Sequence, residues 1–134
     1  MFSHYLLFNC NCAEALETYV RAFGAEILEM QRYRDMPPGT DFPVAEHDRD
    51  LVLHARLQWG GTEIMCADSP ERSQAGSNMY VSVTTQDVAL VQRAWDILKQ
   101  EGTIYMELAP AFFAAAHGSL QDRFGINWMF TALK

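Results

Sequence analysis

Chemistry in this chain has to come from few side chains. Four histidines, three cysteines and several strand-borne carboxylates are the groups that can move protons, hold a metal or attack an electrophile. Residues 51–59 alternate: Leu51, Leu53, Ala55, Leu57 and Trp59 are apolar, and His54, Arg56 and Gln58 lie between them. That is the pattern of a strand with one face on a core. If the polar face lines a cavity, His54 and Arg56 can orient an anionic or carbonyl ligand. Glu63 shares a strand face with Met65, and a carboxylate held in a cavity can act as a general base. Glu107 ends a later strand. His4 is the best placed of the histidines, on a first strand. Each has a bland alternative: a solvated sheet face or an interface for His54 and Arg56, an exposed strand residue for Glu63, a hydrogen-bonded core histidine for His4. His47, in a charged loop, and His117, before Gly118, read as surface residues.

The cysteines carry no reactive signature. Cys10 and Cys12 flank Asn11 near a helix start, where a thiolate is favoured, but no second Cys pair or neighbouring His completes a redox or metal motif. Cys12 reads as a helix start and Cys66 as a small core residue. A Gly-rich phosphate loop, a Gly-x-Ser-x-Gly elbow and a His-Glu-x-x-His pair are all missing from the sequence.

The elements that must position these groups follow from periodicity. Strands are expected at 3–8, 25–31, 51–59 and 62–67. A helix starts after Asn11, with Glu14 in capping-box position, places Leu16, Tyr19, Val20 and Phe23 on one face, and stops at Gly24. Residues 33–50, with Pro37, Pro38, Gly39 and many charges, form a long loop of the kind that covers sites or moves. After a linker from Pro70 to Gly76 the order repeats. A strand is expected at 78–83, then a helix at 86–100 with Val88, Val91, Trp95 and Leu98 inward. A strand at 103–107, a loop at 108–118, a weak strand near 118–121 and a last strand at 125–132 follow. A shift of 75 places His4 on Met79, and a shift of 64 places Gly61–Met65 on Gly125–Met129. The chain is therefore expected to be one α+β domain of two tandem β-α-β-β-β units, 1–70 and 76–134. Their sheets would curl into a cup with helices outside.

Bulk properties narrow the partners. The 134 residues carry a net charge of −7, which disfavours nucleic acid and anionic membrane surfaces. No apolar run approaches the roughly 20 residues of a membrane span. The N-terminus lacks the layout of a signal peptide. An odd number of cysteines fits a reduced, cytoplasmic setting.

Several stretches resemble a known family: Tyr5–Tyr19, Phe23-Gly24, His54-Ala55-Arg56-Leu57, Gly60–Met65, Phe112-Phe113, Gly118–Gly125 and Trp128-Met129. The chain is similar to PhnB-like members of the glyoxalase/bleomycin-resistance/extradiol-dioxygenase group, the vicinal oxygen chelate superfamily. That resemblance implies paired β-α-β-β-β units and a homodimer. It leaves the chemistry open, because the superfamily holds metal-dependent isomerases, dioxygenases, thiol transferases and metal-free proteins that sequester drugs.

In the metal-dependent relatives, ligands come from the first and last strand of each unit. The positions matching them are His4, Met65, Met79 (or Asn78) and Met129. Only His4 suits a divalent ion, so no cofactor is expected and a divalent metal is disfavoured. The leading expectation is a small-molecule cup without a superfamily-type metal centre. Arg56, Met65, Met79, Phe112, Phe113 and Met129 would line it, and His4, His54 and Glu63 are the candidate catalytic groups. The alternatives are a superfamily lyase, thiol transferase or dioxygenase assisted by a metal on His4, and a non-catalytic interaction dimer.

Overall fold

The computed structural model describes residues 2–37 and 44–134; residues 38–43 of the expected long loop, and Met1, lie outside the described residues. Two compact units emerge. The first holds Met1–Val20 and Ala25–Ser73; the second holds Arg21–Gly24 and Gln74–Lys134.

The first unit runs β1 (His4–Phe8), α1 (Cys12–Phe23, of which the residues from Arg21 on group with the second unit), β2 (Glu26–Arg32), β3 (Val52–Trp59) and β4 (Thr62–Asp68). Its sheet has the order β1-β4-β3-β2, with β1 parallel to β4 and the other pairs antiparallel. Gly60 and Gly61, both at positive φ, make the tight β3–β4 turn that glycine alone enters without strain. One sheet face is core. Phe8, Ala55, Leu57 and Cys66 are buried on it, and Phe8 packs its ring against Tyr19 of α1. Burying a side chain such as Phe8 contributes about 1.5–3 kcal/mol.

The start of α1 departs from expectation. The Asn11–Glu14 capping box does not carry it: Asn11 Oδ1 is buried without a hydrogen-bond partner among the described residues. Asp68, buried at the end of β4, takes over. Its Oδ1 accepts from Cys12 N and its Oδ2 from Val52 N, both at 2.8 Å. A carboxylate from a distant strand is a stronger acceptor than a local amide.

The second unit runs β5 (Val81–Thr85), α2 (Val88–Leu98), β6 (Thr103–Ala111), β7 (Ala114–Gln121) and β8 (Asn127–Ala132), in sheet order β5-β8-β7-β6. Asp87 caps α2 through Leu90 N. Val91, Trp95 and Leu98 are buried as their spacing requires, but Val88, in the first turn, is 46% exposed. Phe23, which groups with this second unit, lies tilted against Trp128 and stacks on Phe130, and Trp95 meets Phe130 edge-on.

Three expectations are corrected here. The strand placed at 78–83 lies at Val81–Thr85, which leaves Met79 ahead of it. The loop placed at 108–118 is mostly strand, because β6 and β7 form a hairpin that turns at Phe112-Phe113. Small residues hid that hairpin. Ala114, Ala115, Ala116 and Gly118 are poor strand formers by themselves, and Gly118 is required because a Cβ there would stand 2.9 Å from Leu108 Cα. Finally, Tyr5 pairs with Met65 and Ser82 with Met129. With Met65 on Met129 the first strands therefore align by a shift of 77, not 75, which puts Val81 rather than Met79 at the position matching His4.

Candidate functional site

The open face of the first sheet gathers most of the polar groups singled out by sequence. Pairing runs across it strand by strand: Tyr5 opposite Met65, Met65 opposite Arg56, Arg56 opposite Glu29. Gln58 faces Glu63, and Gln31 faces His54.

Arg56 anchors this face. Its Nε donates to Glu29 Oε2 at 3.0 Å, and its Nη1 donates to Glu63 Oε1 and Oε2 at 3.1 and 3.2 Å. The hydrogen-bonded Glu29 carboxylate, then that of Glu63, holds the guanidinium above its ordinary range. All three side chains are partly exposed, at 36%, 36% and 41% for Arg56, Glu29 and Glu63. Beside them, Tyr5 Oη lies 3.2 Å from His54 Nδ1, with the two ring centroids 5.9 Å apart. Burial pushes the Tyr5 phenol up, so the hydroxyl keeps its proton at neutral pH. Tyr5 is 48% and Leu7 50% exposed, which leaves apolar surface next to the polar groups.

Other candidates fall elsewhere. His4 is opposite Ile64 and in phase with Leu6 and Phe8, so it lies at the exposed end of the core-side row and not with Arg56. Tyr5 takes the position on the open face beside Met65. In the second unit, Met129 is opposite Ser82 and Ser119 on the face away from Trp128 and Phe130. Phe113 packs edge-on to His117, whose Nδ1 is 3.1 Å from Thr131 Oγ1. Phe112, at the hairpin turn, is 92% exposed, and Met79 is 73% exposed outside any strand. Cys12 and Cys66 are both buried; the hydrogen-bonded Cys66 side chain, then burial, pushes the Cys12 thiol far up, so it stays protonated.

Sequence reasoning missed Tyr5, Glu29, Asp68 and Asp122. The adjacent apolar pair Ile27-Leu28 was the signal for Glu29. It breaks the strand alternation where β2 carries a bulge, and the extra residue brings Glu29 opposite Arg56. Asp122 is 3% exposed; its Oδ1 accepts from Phe124 N and Ile126 N and its Oδ2 from Trp128 Nε1.

The superfamily's metal chemistry needs imidazole and carboxylate at the paired strand positions. The structure puts Tyr5 with Met65 in one unit and Ser82 with Met129 in the other. Among the described residues no group of three or more His, Cys, Asp or Glu is placed to hold a metal ion. Neither a phenol beside a thioether nor a hydroxyl beside a thioether fits a divalent cation.

Fold and site together define a PhnB-like protein of the vicinal oxygen chelate superfamily, built as two β-α-β-β-β units. The chain belongs to the family described as 3-demethylubiquinone-9 3-methyltransferase, which matches residues 1–131. It is 30% identical to protein YjdN of Escherichia coli over 98% of this chain and 95% of that one. A putative 3-demethylubiquinone-9 3-methyltransferase, PhnB protein, from Bacillus cereus has a similar structure, at TM-score 0.78 and 28% identity over 97% of each chain. FosX, the fosfomycin resistance protein of Listeria monocytogenes, shares the fold alone, at TM-score 0.64 and 10% identity over 100% of this chain and 93% of that one. Among the described residues no helix is long and apolar enough to cross a membrane.

Proposed function

We propose that this protein binds a small organic molecule on the open face of its first sheet, without a divalent metal. The observation that supports this reading is the organised polar row: Tyr5 hydrogen-bonded to His54, and Arg56 bracketed by Glu29 and Glu63, with exposed Leu7 and Tyr5 beside them. A few convergent polar groups amid apolar contact are what a ligand surface requires. A ring nitrogen of His54 would hydrogen-bond a carbonyl or hydroxyl group, and the Tyr5 ring would stack on an aromatic group. The family's name refers to methyl transfer, an activity this reading does not draw on.

A thermal-shift screen of aromatic carbonyl compounds tests it. Saturating ligand raises the melting temperature by mass action on the folded state. The shift should shrink in His54→Ala and Tyr5→Phe, and a shift that survives both substitutions unchanged would move the binding surface elsewhere. Elemental mass spectrometry of untagged protein tests the metal-free part: near-stoichiometric metal lost in His4→Ala would overturn it.

The Tyr5–His54 hydrogen bond also favours a second reading, in which the pair moves a proton in a lyase or transferase reaction. Its mark would be turnover of a bound ligand that is lost in both His54→Ala and Tyr5→Phe while binding is kept. The exposed apolar run Ile104, Tyr105 and Met106 on edge strand β6 supports pairing with a second copy of the chain, tested by sedimentation equilibrium. Free Cys10, Cys12 and Cys66 support a reducing, cytoplasmic setting.

A further inference from the structure

Arg56 looks like an anion receptor in sequence, yet its charge is already engaged. Two carboxylates against one guanidinium leave the Glu29–Arg56–Glu63 triad with a net charge of −1. We propose that Glu29 and Glu63 set the charge selectivity of this face, so that it takes aryl-alkyl ammonium compounds and refuses phosphonates and carboxylates. This rests on the reading that the face binds a small molecule.

The geometry carries the argument. An arriving anion must pull Arg56 away from a carboxylate or sit beside uncompensated negative charge. An ammonium meets two carboxylates that stay more than a third exposed, with lone pairs left after the Arg56 bonds. The row Tyr5–Met65–Arg56–Glu29 crosses four neighbouring strands. Each strand step is about 4.8 Å, so the aromatic end stands within about 15 Å of the acidic end. Glu63 lies two residues from Met65 on the same strand face and closer still to Tyr5. A ligand with a ring, a short chain and an ammonium reaches from Tyr5 to the nearer carboxylate, Glu63, with its ring on Tyr5 and its chain over Met65.

Titration calorimetry with three matched probes reads this directly: 2-phenylethylammonium, 2-phenylethanol and 3-phenylpropionate. In the wild type at low salt the ammonium should bind about two- to fivefold tighter than the alcohol, the range an exposed charge pair gives, with the carboxylate weakest. Raising the salt should narrow that order by screening. In Glu29→Gln/Glu63→Gln the ammonium preference should vanish and 3-phenylpropionate should gain, because Arg56 is released. The partly exposed positions and the shape kept by Gln allow the variant to fold, which circular dichroism verifies. Carboxylate binding equal to or tighter than ammonium in the wild type would overturn the proposal, as would an order unchanged in the double variant. Equal binding of alcohol and ammonium would overturn the selectivity and leave the binding surface standing. Silence from all three probes would overturn the selectivity, and with it this face as the binding surface for aromatic ligands.

Discussion

In the first unit, the central strands β3 and β4 carry Arg56, Glu63 and Asp68; in the second, β7 and β8 contain no Asp, Glu, Lys or Arg. The same β-α-β-β-β order thus presents a charged, hydrogen-bonded face in one unit and a Ser, Thr, His and Met face in the other. The core rows differ far less, with Ala55, Leu57 and Cys66 buried in one and Leu120, Trp128 and Phe130 in the other. Burial of the inner row fixes strand register, because a slip of one residue would turn every apolar side chain outward. The outer row is released from that constraint and is where the units diverge. Each unit also depends on one buried carboxylate, but differently. Asp68 ties the start of α1 to the start of β3, whereas Asp122 closes a local turn and holds the Trp128 indole.

Removing those carboxylates should give the largest effects. Asp122→Ala strands three donors and Asp68→Ala strands two, at about 1–3 kcal/mol for each buried group left unpaired. Chemical denaturation should therefore show losses of roughly 2 kcal/mol or more in Asp68→Ala and roughly 3 kcal/mol or more in Asp122→Ala. Asp→Asn at either site keeps one acceptor oxygen and should cost less. Equal and small losses would mean that water replaces both carboxylates and that the two units are not held in this way.

Next comes Gly118→Ala in the second unit, where the new methyl meets Leu108 Cα and Met106 O at 2.9 Å. Backbone atoms cannot swing aside, so a loss of about 1–3 kcal/mol is expected. Gly60→Ala in the first unit meets nothing within 4 Å and is strained only through its φ of +59. Its cost should come out nearer 1 kcal/mol.

A smaller effect separates the two units by pH. Burial raises the phenols of Tyr5 and Tyr33, both in the first unit. The folded chain then holds protons that the unfolded chain releases, so stability is full below the ordinary tyrosine value of 10.0 and falls as pH climbs through the raised folded values. Melting temperatures followed from neutral to alkaline pH should drop less steeply in Tyr5→Phe than in the wild type. The smallest expected change is in Arg56→Met, where loss of partly exposed ion pairs should alter stability by less than about 1 kcal/mol. A loss of several kcal/mol there would make the triad a structural brace instead of a recognition element.

Much of this was legible from residue order. The alternation around Ala55 and Leu57, the Gly60-Gly61 turn, the helical spacing of Leu16 and Tyr19, and the repeat of the element order all report local periodicity. Local periodicity survives in the structure because burial of an apolar stripe rewards it. The hairpin at Phe112-Phe113 was not legible, since its alanines and Gly118 earn their strand through a close approach to β6 that no propensity records.

The amino-acid sequence by itself determined that the chain would be two β-α-β-β-β units and that His54, Arg56 and Gln58 would share a face. Neighbours on one strand need only the two-residue period of the pleat. Only the tertiary structure decided which partners meet them. Tyr5 rather than His4 reaches the open face, because the parallel pairing of β1 with β4 sets Tyr5 against Met65. Glu29 reaches Arg56 because one extra residue bulges from β2. Register between strands is a property of two distant segments packing together, and a single residue of offset decides whether a carboxylate faces a guanidinium or the core.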